Sequence, residues 1–147
     1  MADQQTIEGP AVFEIHCYGG KDLPSQYQNV VRSRWVRTYR NCNDMMKLVF
    51  APAYYSAYPV YVKQILARPL VEVRLAVLQE DPDVVLGFSI TEAENVLHYV
   101  EVKRDLRRNG IAAALVPNEI KWFSHITKTG LKIWSRKYPE AHFSPFI

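Results

Sequence analysis

Six consecutive residues carry chemistry that their types and order can explain: Arg107, Arg108, Asn109, Gly110, Ile111 and Ala112. A glycine there lets the chain turn sharply and lets its backbone approach a ligand closely. The run Ile111-Ala-Ala-Ala-Leu115 that follows is a strong helix former. The first N–H groups of such a helix lack intrahelical partners and lie at the positive end of its dipole. Two arginines beside them add donors suited to phosphate oxygens, so the stretch reads as a phosphate cradle.

The elements that must hold this turn are legible around it. Val96, His98, Val100 and Val102 alternate with Leu97, Tyr99, Glu101 and Lys103, the period-two pattern of a strand rich in β-branched and aromatic residues. Strand, basic turn and helix therefore follow one another without slack. Leu70–Leu78 and Val84–Ile90 alternate in the same way, joined by the Glu80-Asp81-Pro82-Asp83 and Ala93-Glu94-Asn95 turns, which predicts an antiparallel meander ending in the Val96 strand. Gly87 inside the second of these strands points to a close backbone approach or a twist.

The segment Val100-x-Val102-x4-Arg107-x-x-Gly110-Ile111-Ala112-x-x-Leu115-Val116 resembles motif A of the GCN5-related N-acetyltransferases, whose signature is Q/R-x-x-G-x-G/A after a hydrophobic strand. Arg104 departs from it, since many members carry proline there. The likeness extends less sharply over Val71 to Phe143 and includes the Val85-Leu86-Gly87-Phe88 run. It implies an α/β (α+β) fold, a mixed and mostly antiparallel sheet flanked by helices, with an abbreviated C-terminal part. It also implies an acyl-CoA cofactor, acetyl-CoA first, and direct transfer of the acyl group to an amine in a ternary complex.

Residue roles follow from the resemblance. Arg107, Arg108, Asn109, Gly110, Ile111 and Ala112 would hold the cofactor's diphosphate, with Val100 and Val102 on the strand edge along which its amide-bearing arm would add like a short strand. Thr127 stands near a family asparagine that bonds the same arm. Deprotonating an amine needs a base. His98 fits, with an ordinary pKa of ~6.5, and His125 is the second choice. Glu101 faces away from His98 unless a bulge resets the register. Trp134 occupies the place of the family's acidic tyrosine, which moves the expected general acid to Tyr138 or, in reserve, Ser135. Tyr54 and Tyr55 are expected acceptor contacts, or packing residues with one hydroxyl at the surface.

The rest of the chain reads more plainly. Residues 1–10 end in Gly9-Pro10 and suggest a flexible leader; residues 11–147 suggest a single domain. Val12–Tyr18 predicts a first strand closed by Gly19-Gly20. From Leu23-Pro24-Ser25 a helix is expected, with Tyr27, Val31, Trp35 and Tyr39 as its apolar stripe. Arg32, Arg34, Arg37 and Arg40 are interleaved with that stripe, either as a solvated face or as a basic surface for an acidic acceptor or nucleic acid. A second helix is expected from Ser56 or Ala57, with Pro59 in its first turn. Pro117 interrupts the Ile111 helix early. Ile120–Thr127 predicts a fifth strand, Gly130–Tyr138 a helix with Leu131, Trp134 and Tyr138 inward, and Ala141–Phe143 a last strand.

Composition narrows the function classes. A net charge of +3 suits an anionic cofactor without requiring nucleic acid. Two cysteines make neither a disulfide framework nor a zinc site, four histidines lack ligand spacing, and the GK[ST] ending of a Walker loop is missing. No signal-like or membrane-spanning run stands out, so the expected compartment is the cytoplasm, that of a host if the chain is phage-encoded. Expected partners are a small-molecule, protein or nucleic-acid amine acceptor, with no membrane, and with homodimerisation left open. Two alternatives remain: a DNA-modifying relative similar to phage Mom-type proteins, whose binding would weaken with salt, and a non-catalytic binding module on the same fold.

Overall fold

A computed structural model describes residues 12–104 and 110–147. The expected leader at residues 1–10 and the cradle residues Arg107, Arg108 and Asn109 lie outside the described residues. Strands β1 (Phe13–Gly19), β2 (Val71–Leu78), β3 (Asp81–Glu92), β4 (Val96–Val102), β5 (Trp122–Phe123) and β6 (His142–Phe143) form one sheet in chain order. The pairs from β1 to β4 are antiparallel, and β4, β5 and β6 run parallel. The predicted mixed, mostly antiparallel sheet is the one observed.

Helices cover both faces. On one side lie α1 (Ser25–Cys42), the short α2 (Asp44–Leu48) and α3 (Ala51–Leu66). The stripe Tyr27, Val31, Trp35 and Tyr39 of α1 is buried there with Tyr54, Val62 and Ile65 of α3, against Val73, Leu75, Phe88, Ile90 and Tyr99 of the sheet. On the other side α4 (Ile111–Leu115) and α5 (Lys128–Lys137) pack a second core of Leu86, Leu97, Val100, Val102, Ile111, Leu115, Phe123 and Tyr138. Because both faces are covered, β2 and the middle of β3 are buried almost continuously.

Some boundaries moved. α3 starts at Ala51, six or so residues before the expected point, with Pro52 in its first turn and Pro59 inside it. An interior proline forfeits one helical hydrogen bond. The buried residues Tyr54, Val62, Ile65 and Leu66 hold the helix on α1 and the sheet across that defect. α4 stops at Leu115 because Val116, the residue before Pro117, is extended. α5 begins at Lys128, since Thr127 caps it by accepting the Gly130 N–H at 2.9 Å. Leu131, expected inward, is 45% exposed, while Trp134 and Tyr138 do pack on Phe123. β5 is two residues long where eight were expected.

Gly87 explains itself in this frame. A Cβ there would stand 2.7 Å from the Glu101 carbonyl oxygen, so β4 approaches β3 only because the side chain is absent.

Candidate active site

Two features of β4 define the site. First, β4 pairs with β5 at only two rungs, Val96 with Trp122 and Leu97 with Phe123. The last bond of this seam runs from the Ser124 N–H to the Leu97 carbonyl at 3.3 Å. Beyond it, no described strand pairs with β4 on that side. Lys103 donates its N–H to Leu86 on the β3 side. By strand alternation, Glu101 also turns its main chain toward β3 and Val100 turns toward the opening.

Second, the β3–β4 register shifts between Ile90 and Thr91: Ile90 pairs with Tyr99 and Thr91 with Leu97, leaving His98 as the extra residue of a bulge. A bulge puts two successive side chains on one face. Leu97 and Val100 accordingly enter the α4–α5 core, while His98 and Tyr99 both turn toward α1 and α3. The reset also brings Glu101 to the α1 side, where Arg34 engages its carboxylate. Glu101 is thereby held as half of a buried ion pair.

His98 is 1% exposed, and both ring nitrogens are occupied. Nε2 lies 2.8 Å from Glu92 Oε1, and Nδ1 lies 2.6 Å from Ser124 Oγ. Arg68, just beyond α3, reaches the same Glu92 oxygen at 3.0 Å. Ser124 Oγ continues to His125 Nδ1 at 2.7 Å. Around the His125 ring stand Trp35 and Tyr39 from α1, Tyr58 and Tyr61 from α3, and Tyr99 from β4, with ring centroids 4.9–6.4 Å away. Two polar atoms in this aromatic box, Tyr58 Oη and Trp35 Nε1, are buried without a well-formed hydrogen bond.

Burial depresses the pKa of both histidines, for His98 against the opposing pull of Glu92, and for His125 down to about 3. For Glu92, burial works upward, but hydrogen bonds from His98 and Arg68 outweigh it and hold the carboxyl below its ordinary range. The same burial pushes the hydroxyls of Tyr39, Tyr58 and Tyr99 upward, so they remain neutral.

A stability profile follows from these directions. The unfolded chain protonates its histidines near ~6.5, whereas the folded pair resists. Unfolded chains therefore bind more protons as pH falls, and stability declines below that point. Between pH ~6.5 and ~5, His125 alone accounts for roughly 1.5–2 kcal/mol of the decline, with His98 acting in the same direction. Urea midpoints at pH 7 and pH 5 check this; equal midpoints would contradict neutral burial of the pair.

Other expected site residues fall elsewhere. Tyr54 is buried and donates its hydroxyl to the Val36 carbonyl, the packing role rather than an open contact surface. Tyr55 is half exposed and lines a groove of about 750 Å³ between α1 and α3, with Arg32, Arg37 and Lys63. Tyr138 ends α5 on the opposite core and donates its hydroxyl to the Pro117 carbonyl, and Ser135 is exposed and bonded to the Lys132 carbonyl. Neither hydroxyl stands with His98. The Thr127 hydroxyl oxygen accepts the Gly130 N–H and caps α5. Gly110 does adopt the left-handed conformation the turn needs, with φ 78°, and a Cβ there would meet nothing within 4 Å. Among the described residues, no group caps the N–H of Ile111 or Ala112.

Sequence reasoning missed Glu92, Ser124 and Arg68. They lie 6, 26 and 30 positions from His98 and share no spacing rule with it. Among the described residues, no cluster of His, Cys, Asp or Glu could hold a metal, and no helix is long and apolar enough to cross a membrane.

The chain has the fold of the GCN5-related N-acetyltransferases. It superposes on a Pyrococcus furiosus protein assigned as an acetyl transferase with a TM-score of 0.51, over 89% of this chain and 80% of that one, at 11% identity. The ribosomal-protein-alanine N-acetyltransferase of Brucella melitensis biovar Abortus 2308 gives a TM-score of 0.43 at 12% identity, over 90% and 77% of the two chains. An aminoglycoside N-acetyltransferase solved with CoA gives 0.44 at 11% identity, over 94% and 78%. No protein-family model and no curated protein sequence matches the chain.

Proposed function

We propose that the protein transfers an acyl group, acetyl in the first instance, from a coenzyme A thioester to an amine by direct attack in a ternary complex. The observation that carries this reading is the parting of β4 from β5 after two rungs, with His98 at the bulge beside the vertex. A strand edge that opens in this way accepts an extended, amide-bearing chain as an added strand.

The residues present fit such a cofactor. Val100 would offer its main-chain groups to the arm, with Val102 further along the same strand. The left-handed Gly110 turn leaves room for a diphosphate beside the amides of Ile111 and Ala112. Arg107, Arg108 and Asn109, predicted from the motif, would complete the cradle. When bound, the cofactor supplies a thioester whose acyl carbon is open to attack by an amine. The protein's part is then to align the amine, remove its proton and keep water out. His98, held neutral between Glu92 and Ser124, provides the basicity. Solvent supplies the proton to the departing thiolate, since Tyr138 and Ser135 are committed to main-chain carbonyls. Arg32, Arg37 and Lys63 around Tyr55 suit an acceptor that carries negative charge, nucleic acid included.

Thermal-shift titration with acetyl-CoA tests the cofactor assignment. At a hundredfold excess over Kd the folded state gains about 2.7 kcal/mol, which raises Tm by roughly 5–10 °C for a chain of this size. Gly110→Glu is expected to abolish the shift and Arg107→Ala to reduce it, each measured from the variant's own unliganded Tm. A full shift in Gly110→Glu would overturn the cradle.

A further inference from the structure

We propose that Glu92, His98, Ser124 and His125 form a single proton relay, with His125 Nε2 as its accepting end and His98 as the place where the charge comes to rest. The proposal deepens the acyl-transfer reading and rests on it for the identity of the proton donor, an attacking amine.

Hydrogen-bond accounting fixes the direction of the chain. An ionised Glu92 only accepts, so the 2.8 Å contact requires a proton on His98 Nε2. Neutral His98 then presents a lone pair at Nδ1, and the 2.6 Å contact makes Ser124 the donor there. Having donated its one proton, Ser124 Oγ must accept across the 2.7 Å contact from His125 Nδ1–H. Neutral His125 is left with a lone pair on Nε2, and among the described residues nothing bonds to that atom. Each tautomer is set by its neighbour, starting from the carboxylate.

The same chain can move a proton without storing charge in the aromatic box. An amine N–H bond breaks as a bond to His125 Nε2 forms. The Nδ1 proton of His125 passes to Ser124, and the original Ser124 hydroxyl proton passes to His98 Nδ1. His125 ends neutral in its other tautomer, Ser124 ends as a hydroxyl, and His98 ends as an imidazolium against Glu92. This removes the difficulty that burial makes His125 alone a poor base, with a pKa of about 3.

The surroundings favour that division of labour. Trp35 and Tyr39 from α1, Tyr58 and Tyr61 from α3, and Tyr99 from β4 face His125. The charged groups that face the relay sit at the opposite end: Glu92 from β3 and Arg68 after α3, with Arg68 holding the carboxylate ionised. His125 retains 8% exposure, and the Tyr58 hydroxyl, without a well-formed hydrogen bond, stands in the same box. In this scheme Ser124 and Glu92 are positioning residues that act through the two rings.

Ring-nitrogen NMR of the full chain labelled with ¹⁵N-histidine tests the relay without any substrate. The expected tautomers are Nε2–H for His98 and Nδ1–H for His125. Ser124→Ala should release His125 into a mixture of tautomers and leave His98 unchanged, Ser124→Thr should restore the original pair, and Glu92→Gln should lower the pH at which His98 titrates. An Nε2–H tautomer of His125 in the unaltered protein, or no response to Ser124→Ala, would overturn the proposal. A second arm follows thiol release from acetyl-CoA with ethanolamine as the probe amine. There Ser124→Ala is expected to lower kcat by about a hundredfold with the acetyl-CoA thermal shift intact, and an unchanged kcat would overturn the relay. Absence of any acetyl-CoA shift would instead remove the acyl-transfer reading, with the tautomers still deciding whether the hydrogen-bonded chain exists.

Discussion

Replacing Arg34 by methionine is expected to lower the unfolding free energy by about 3–5 kcal/mol, the cost of leaving one buried charge without its partner. Arg34 is 9% exposed and reaches from α1 across the sheet face to three groups. It bonds the Glu101 carboxylate on β4, donates to the Val85 carbonyl on β3 at 2.7 Å, and lies over the Phe88 ring at 5.6 Å. Methionine keeps much of the aliphatic packing, so the loss reports the charge. The Glu101 carboxyl, with its side chain only 12% exposed, would be left in an apolar setting without its partner. The Arg34→Met, Glu101→Gln double variant should recover a large part of the loss, because no uncompensated charge remains. Urea midpoints of the four proteins in the cycle measure this, and a single-variant loss below ~1 kcal/mol, the level of a surface ion pair, would contradict the buried role.

Trp35→Ala is expected to cost a similar ~3–5 kcal/mol, this time through a cavity. Trp35 has no exposed surface, stacks on Tyr99 at 5.5 Å and meets the His125 ring edge-on at 5.6 Å. Its removal would open the aromatic box on the side of α1. Trp35→Phe separates packing from hydrogen bonding. The indole N–H has only the neighbouring Tyr58 hydroxyl beside it, without a well-formed bond, so little is lost with it while the ring volume is largely kept. The phenylalanine variant should therefore be markedly more stable than the alanine one. Equal losses would mean that the N–H has a partner and that the cavity argument fails.

Much of the fold was legible because it depends on short periods. Alternation marked β2, β3 and β4, and the four-residue stripe from Tyr27 to Tyr39 marked α1, since each pattern lies within one element. The glycine at the head of α4 and the early stop before Pro117 were readable for the same reason. What failed to show was decided by contacts distant in sequence. Ile120–Thr127 has strand-like residues, yet only Trp122 and Phe123 pair in register with β4, and that pairing ends where the β3–β4 bulge falls at His98. No residue in Leu97-His98-Tyr99 announces a bulge. The prolines at 52 and 59 suggested a later start for α3, and packing on α1 overrode them. His98 was singled out for its type and strand position, but its partners Glu92 and Ser124 come from other strands or strand ends and leave no local signature. Tyr138 was chosen by alignment alone, which could not reveal that Pro117 takes its hydroxyl.

The uneven sheet has a mechanical corollary. Seven consecutive rungs weld β1 to β2, whereas β5 clings to each neighbour by two. Free energies of local opening scale with such bonding, so the β5–β6 flap is the leaf that breathes while the rest stays clamped. A guest lying between β4 and β5 would act as a rivet, lending stiffness where the polypeptide itself supplies least.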